Sequence, residues 1–212
     1  MVETEYKSKT SPIFPEPQDL GKRPWGKEEL LVLIPGKFML KKLQGKIVLD
    51  PKINQIKKVK SKLIDSCKSL VITVSDNDHP DIGYAPYIYK DNYFYIFSSE
   101  LSSHIKLLIN KKVGTFMLIK DEQDTKNIWA RVRMKFQAKV SIISRNVLEF
   151  QEITDIISIK HGNTINIIKQ FKDFHLMKII PTQGTIITGF GSAYNLIGKS
   201  LEVKSKIKGN SK

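Results

Sequence analysis

Apolar and polar residues alternate with a period of two through most of residues 69–144. This alternation is typical of half-buried β-strands, because successive side chains of a strand point to opposite faces. Turn-forming residues at 76–81 and 90–92, and an acidic loop at 121–127, interrupt the alternation. We therefore predict five strands, at 70–75, 82–89, 93–98, 113–120 and 128–144.

A period of 3.6 residues marks the predicted helices. In residues 53–67 the apolar side chains fall at helical spacing, and the lysines occupy the opposite face, which we interpret as a solvated face. Residues 99–110 predict a short helix whose N-cap is Ser99 or Ser102. Two further helices are predicted at 146–159 and 164–171.

The last patterned segment predicts a closing hairpin, with strands at 173–181 and 185–188 around a Thr182-Gln183-Gly184 turn. The segment continues into Gly189-Phe190-Gly191, two glycines around an aromatic where a backbone must approach something closely. Consecutive hairpin-joined strands with few long helices favour a small closed antiparallel barrel, since closure removes exposed sheet edges.

The pattern divides the chain into three parts. Residues 1–50 form an N-terminal extension, in which three prolines before residue 20 predict partial disorder ahead of two short strands. Residues 51–196 form the barrel domain. Residues 197–212 form a basic C-terminal tail.

Composition limits the class of protein. No run of about 18 apolar residues is present, so no transmembrane helix is expected. The charged N-terminus lacks the apolar stretch of a secretory signal, and the single cysteine, Cys67, excludes an internal disulfide. We therefore expect a cytoplasmic protein that does not enter a membrane.

The net charge of +14 suggests an anionic ligand, such as a flavin phosphate, haem propionates or nucleic acid. Most of the positively charged residues are lysines. AT-rich coding, which also favours isoleucine and asparagine, is an explanation of the positive charge that requires no anionic ligand. Nucleic acid is not expected, because aromatic residues are not concentrated among the lysines of residues 37–68. Bidentate anion binding is best served by the planar guanidinium group of arginine. The sequence contains four arginines, Arg23, Arg131, Arg133 and Arg145.

The predicted strand 128–144 is the best-defined site candidate. One of its faces is apolar, and the other carries Trp129, Arg131, Arg133, Lys135, Gln137 and Lys139. This second face is either a wall that binds carboxylates or phosphate through its arginines, or a plain solvated face.

The four histidines form no closely spaced pair, so a zinc site is not expected. His104 follows two serines at a helix start, where backbone N–H groups can meet a phosphate or a propionate. His175 lies on the first strand of the closing hairpin. No Walker loop, G-x-S-x-G or G-x-G-x-x-G motif is present, and Cys67 has no base partner in the sequence, so nucleophilic catalysis has little support.

Several short motifs occur in one order across residues 55–196. They are Gly83-Tyr84-Ala85-Pro86-Tyr87, Phe97-Ser98-Ser99-Glu100-Leu101-Ser102-Ser103-His104, the strand 113–119 with its acidic loop, Ala130-Arg131-Val132-Arg133-Met134, Asp173-Phe174-His175-Leu176, Pro181-Thr182-Gln183-Gly184 and Gly189-Phe190-Gly191-Ser192-Ala193-Tyr194. With these motifs the chain resembles the haem-utilisation proteins of the HugZ/HutZ type, which belong to the pyridoxamine phosphate oxidase-like, FMN-binding split-barrel superfamily.

The resemblance implies a mainly β fold: a six-stranded antiparallel split barrel of the FMN-binding type with flanking helices, assembled as a homodimer. It also implies a haem oxygenase that binds haem at the dimer interface. With O₂ and an external electron donor, such as ferredoxin or a flavin reductase, haem would be opened to a bilin-type product and iron released. The alternatives are an FMN-dependent oxidoreductase of the same superfamily and a non-catalytic haem carrier.

The resemblance suggests site residues as well. Arg131 or Arg133 would face the haem or its carboxylates as catalytic residues, and Lys135 would lie beside them as a further contact. His104 would line the pocket at the helix end. The remaining candidates for shaping the cofactor site are Tyr84, Gly189, Phe190, Gly191 and Tyr194.

One departure from the family concerns the iron ligand. Haem degraders of this family carry their axial histidine after the Gly-Phe-Gly motif, and residues 195–212 contain no histidine. Three explanations stay open at this point: His104 or His175 binds the iron instead, a lysine or tyrosine does, or the protein does not use haem as the degraders do.

Overall fold

The computed structural model describes residues 29–34, 37–42, 51–76 and 79–208. The chain divides into two compact units, Met1–Asp50 and Pro51–Lys212. In the first unit β1 (Glu29–Ile34) and β2 (Lys37–Lys42) form an antiparallel hairpin, the strand pair expected from the sequence. The disorder predicted around the three N-terminal prolines lies outside the described residues.

The second unit is built on a sheet of eight strands, in the order β10-β9-β8-β5-β4-β3-β6-β7, and β7 also pairs with β8. That last pairing closes strands β3 to β8 into a six-stranded antiparallel barrel, which confirms the predicted split-barrel fold. The strands are β3 (Ser69–Asp76), β4 (His79–Lys90), β5 (Tyr93–Ser99), β6 (Val113–Ile119), β7 (Arg133–Ile143), β8 (Phe174–Gly189), β9 (Ser192–Ile197) and β10 (Glu202–Lys206).

In the described part of this unit four α-helices accompany the barrel: α1 (Pro51–Ser66), α2 (Ser103–Lys111), α3 (Leu148–His161) and α4 (Thr164–Ile168). The helix predicted from residue 99 begins only at Ser103, because Ser99 continues β5 and its hydroxyl bonds to Asp173. Within the described residues no helix is long and apolar enough to cross a membrane.

Two apolar clusters hold the unit together. The larger fills the barrel, where Phe94, Phe136 and Phe116 stack in series with ring centroids 4.8 and 5.5 Å apart. The smaller joins α3 and α4 to the outer face of β5 and β8 through residues such as Phe97, Phe150 and Leu176. Because β5 faces both clusters, its sequence is apolar on both sides rather than alternating.

β8 is one strand of 16 residues, which corrects the hairpin predicted at its centre. Thr182-Gln183-Gly184 is not a turn, since Gln183 pairs with Gln137 and Gly184 with Phe136. The register shifts between Gln137 and Ala138, where β8 carries one extra residue, Thr182. Glycine is required here because a Cβ at Gly184 would lie 2.4 Å from the carbonyl oxygen of Lys135. Thus the glycine marks a close approach of two strands and not a chain reversal.

β7 begins at Arg133, five residues later than the strand predicted from residue 128. Residues Ile128–Ala130 form a short 3-10 helix, because the side chain of Asn127 accepts a hydrogen bond from the backbone N–H of Trp129. Asparagine caps compete with strand pairing in this way. Trp129 and Arg131 therefore do not share the strand face that carries Arg133.

The region predicted as a basic tail contains β10, which pairs with β9. Leu201 and Val203 are buried in the barrel cluster, so this part of the chain is folded. The ammonium group of Lys60 on α1 donates to the carbonyl oxygens of Ser200 and Leu201, at 2.6 and 2.8 Å, and burial lowers the pKa of Lys60.

We expect the protein to lose stability at alkaline pH through Tyr87. This side chain is buried, its hydroxyl donates to the carbonyl oxygen of Ile64, and burial raises the pKa of Tyr87 well above its ordinary value of 10.0. A raised folded-state pKa contributes stability that is present below pH 10 and lost as pH rises beyond it. The free energy of unfolding, measured with urea across pH 8–11, should fall less steeply with pH for Tyr87→Phe than for the wild type. Tyr84→Phe, which changes an exposed tyrosine, should retain the wild-type slope.

Candidate functional site

The sheet presents a continuous outward face across β4, β3, β6, β7, β8 and β9. Residues directly opposite each other on neighbouring strands share a face. Tyr84 is opposite Val71, Val71 opposite Met117, and Met117 opposite Lys135. Two predicted contact residues, Tyr84 and Lys135, therefore lie on one face, three strand spacings or about 14 Å apart.

Arg133 lies on the same outward face, two residues before Lys135, and its strand neighbours are Ile119 and Ile187. The side chains of Arg133, Ile119 and Ile187 are half-buried. One Nη of Arg133 donates to the carbonyl oxygen of Arg131, and among the described residues no carboxylate pairs with it. The guanidinium group therefore keeps N–H donors with which to hold a carboxylate from outside the chain.

Arg131, the other predicted catalytic arginine, is already occupied. Its Nε donates to the carbonyl oxygen of Lys120 at 2.5 Å, and its Nη pairs with the carboxylate of Glu122 at 2.6 Å. These bonds fasten the loop at 121–127 to the beginning of β7. Arg131 thus shapes this end of the barrel, whereas Arg133 can accept a ligand.

Arg145 also binds protein groups. Its guanidinium group donates to the carbonyl oxygens of Lys169, Phe171 and Phe174, and it lies 5.3 Å from the centre of the Phe150 ring. It therefore fixes the connection from α4 to β8. Three of the four arginines lie in the described residues, and Arg133 is the one that neither pairs with a carboxylate nor binds several carbonyl groups.

A groove of about 780 Å³ opens between α1, β3, β6 and the loop at 121–127. Its walls include Leu63, Met117 and Ile119, and its charged groups include Lys62 and Lys68. The Cys67 thiol also lines it, with a pKa raised by burial. The sequence analysis missed this groove because its lining comes from four separate segments, and α1 showed only an ordinary lysine face.

His104 packs against Gly83 at the start of α2. A Cβ at Gly83 would lie 2.1 Å from Cε1 and 2.3 Å from Nε2 of the imidazole, so this ring needs glycine opposite it. Nε2 of His104 is buried and has no hydrogen-bond partner within the described part of the chain. Since side chains alternate along β4, His104 and Tyr84 lie on opposite faces of the sheet.

His175 is held by a polar cluster at the end of β5. Its Nε2 lies 2.9 Å from the carboxylate of Glu100, whose backbone N–H donates to the carbonyl oxygen of Asp173. The Asp173 side chain accepts a 2.5 Å hydrogen bond from the Ser99 hydroxyl. His175 must therefore leave Glu100 before its Nε2 can bind iron.

The Gly189-Phe190-Gly191 segment is the real hairpin turn, between β8 and β9, and Gly191 has a φ of 60° that favours glycine. Phe190 is 72% exposed at this turn, whereas Tyr194 is buried in the barrel cluster. Because Arg133 pairs with Ile187, the turn lies at the same end of the barrel as Arg133.

The described residues include no cluster of three or more histidine, cysteine, aspartate or glutamate side chains that could hold a metal ion. The structure thus brings Arg131, Arg133, Lys135 and the 189–191 turn to one region. It leaves His104 and His175 on the barrel side of the sheet and Tyr194 in the core.

No family model matches the chain. Among characterised proteins, the chain is 29% identical over 161 residues to the heme oxygenase HutZ of Vibrio cholerae, covering 76% of this chain and 86% of that protein.

Two solved structures share the fold. Vibrio cholerae HutZ, described as a heme storage protein, superposes with a TM-score of 0.58 and 22% identity, over 68% of this chain and 97% of that one. Campylobacter jejuni ChuZ superposes with a TM-score of 0.65 and 24% identity, over 75% of this chain and 66% of that one. The chain therefore has the split-barrel fold of these two proteins, and over 161 residues its sequence is similar to that of HutZ.

Proposed function

We propose that this protein binds haem and opens its porphyrin ring oxidatively. O₂ supplies the inserted oxygen, and an external donor such as ferredoxin or a flavin reductase supplies the electrons. The products are a bilin-type tetrapyrrole, iron and a one-carbon fragment. The relative HutZ is named both a heme oxygenase and a heme storage protein, so a carrier that never degrades its haem is the nearest alternative.

The observation that carries the proposal is the outward face around Arg133. Haem is a flat apolar ring with two propionates, so its site requires apolar surface next to cations. Ile119 and Ile187 provide such surface on either side of Arg133, and Lys135 follows on the same face. A guanidinium group with free donors binds a propionate in a bidentate manner, which is stronger than a neutral hydrogen bond.

His104 is our candidate for the iron ligand that residues 195–212 lack. Its Nε2 has no partner among the described residues, whereas the same atoms of His161 and His175 bond to the Tyr87 carbonyl and to Glu100. Alanine replacement of each of the three, followed by the visible spectrum of the haem complex, tests this assignment. Only His104→Ala should change the spectrum, and an unchanged spectrum in that variant would exclude His104.

We further propose that one haem is shared by two copies of the chain. His104 lies on the barrel side of the sheet and Arg133 on its outward face, so a single haem that meets both residues requires a second subunit. The half-buried apolar residues of the outward face, including Val71, Met117 and Ile119, support this face as the contact surface of a homodimer.

Subunit mixing tests the shared site. His104→Ala and Arg133→Glu should each weaken haem binding in the pure dimer. A mixed dimer, isolated with two different affinity tags, should regain about one haem per dimer, because one of its two sites then has both residues intact. A mixed dimer that binds no better than its parents, or a monomeric mass by light scattering, would contradict the shared site.

An FMN-dependent oxidoreductase is the second candidate. Its supporting observation is the start of α2, where the Ser102 side chain makes no capping bond and leaves the first-turn N–H groups able to hold a phosphate. Bound FMN would supply electron-transfer chemistry, with Ser102, Ser103 and His104 near its phosphate. A protein that is yellow when purified and does not respond to added haemin would favour this candidate over haem degradation.

A further inference from the structure

Trp129 is 81% exposed, and the neighbouring Ile128 is 54% exposed. A tryptophan ring buries roughly 150–250 Å² when it is covered, so such exposure leaves much apolar area open to a ligand. We propose that Trp129 is the surface on which the porphyrin ring of haem stacks. This inference rests on the proposed function and adds a binding residue that the motif comparison does not include.

The backbone that carries Trp129 is held in place from both sides. The Asn127 side chain accepts from the N–H of Trp129 at 3.0 Å, and the N–H of Ala130 donates to the Asn127 carbonyl at 3.1 Å. On the other side, the bonds from Arg131 to Lys120 and Glu122 fix the adjoining loop. A ring presented by an ordered backbone loses little conformational entropy when a ligand covers it.

Groups near Trp129 along the chain and along β8 suit a flat ring that carries carboxylates. The 3-10 helix at Ile128–Ala130 contacts β8, and β8 leads directly into the exposed Phe190. Arg133, with its available guanidinium donors, follows four residues after Trp129. An indole ring stacks on any flat macrocycle, while the guanidinium group binds its propionates, so neither contact depends on the iron.

This independence from iron gives the test. Haemin and metal-free protoporphyrin IX are titrated separately against the full chain and against Trp129→Ala, Trp129→Phe and Ile159→Ala. We expect Trp129→Ala to weaken both porphyrins by about tenfold and Trp129→Phe by about twofold, since a phenyl ring still stacks. Ile159 is 86% exposed on α3 and serves as the matched surface control, with no expected change.

A second readout follows Trp129 directly. In the Trp25→Phe variant Trp129 is the remaining tryptophan, and its fluorescence should be quenched with the same midpoint as porphyrin uptake. Thermal unfolding should be unchanged in Trp129→Ala, because an exposed ring contributes little to the core.

Each other outcome has a distinct meaning. If the wild-type protein binds porphyrins and Trp129→Ala binds them equally well, the stacking role is wrong while the proposed function stands. If only haemin binding is lost, Trp129 acts through the iron and the inference is also wrong. If Trp129→Ala instead lowers the mass of the assembly, the ring contacts a second subunit. If the wild type binds neither porphyrin, the proposed function itself fails.

Discussion

Gly184→Ala should destabilise the protein by about 3 kcal/mol, the upper end of the usual cost of overpacking. The added Cβ would lie 2.4 Å from the carbonyl oxygen of Lys135 and 2.8 Å from the Cβ of Phe136. Both atoms belong to β7, which is paired with β6 on one side and β8 on the other, so its backbone has no room to retreat. Urea unfolding of the two proteins measures the difference.

Gly114→Ala is the matched control for this effect. Its added Cβ would meet Cδ1 of Leu108 at 3.0 Å and the ring of Phe116 at 3.3 Å. These are side-chain atoms that can adjust by a few tenths of an ångström, so we expect a cost below about 1 kcal/mol. Equal losses in the two variants would show that the close approach at Gly184 is relieved in some other way.

Arg133→Glu should weaken haem binding by about 30-fold. Loss of a hydrogen-bonded charge pair costs about 1.5–3 kcal/mol, and about 1.4 kcal/mol corresponds to a tenfold change in affinity. The new carboxylate would also repel the propionates. Haemin titration monitored by the Soret band measures the change, and Arg133→Lys should show a smaller loss, since an ammonium group cannot bind a carboxylate in a bidentate manner.

Lys139→Glu provides the control for net charge. Lys139 lies on the same strand and the same outward face as Arg133, but six residues away, where it pairs with Val113 and Ile180. The replacement makes the same change in charge, and we expect less than a twofold effect on haem affinity. Equal losses from both replacements would mean that haem responds to overall charge rather than to a guanidinium contact.

The barrel strands β3, β4 and β6 follow from the sequence because each has one face in the core, and the alternation of apolar and polar residues shows that face directly. β8 does not, since Gly184 and its neighbours have the composition of a turn. Its conformation is set by pairing with β7, which lies about 45 residues earlier and which local pattern cannot reveal. β10 was predicted as part of a basic tail because it is a short edge strand that is rich in lysine.

Prediction of the candidate site from the sequence is limited in the same way, because contacts with distant residues are not visible in the local pattern. Periodicity placed Arg131 and Arg133 on one face as equivalent residues, yet Asn127 begins a 3-10 helix that takes Arg131 out of the strand. Glu122, nine residues away, then occupies its guanidinium group. The exposure of Trp129 has no sequence signal, because a period-two pattern gives the direction of a side chain and not what covers it.

The most direct test of the proposed function is a visible spectrum of the purified protein with haemin, recorded before and after a reductant is added in air. Haem degradation predicts a sharp Soret band that decays as a bilin-like absorption appears, with release of iron. A Soret band that persists under reductant and O₂ would contradict degradation and leave a haem carrier. The absence of any haem band would contradict the proposed function altogether.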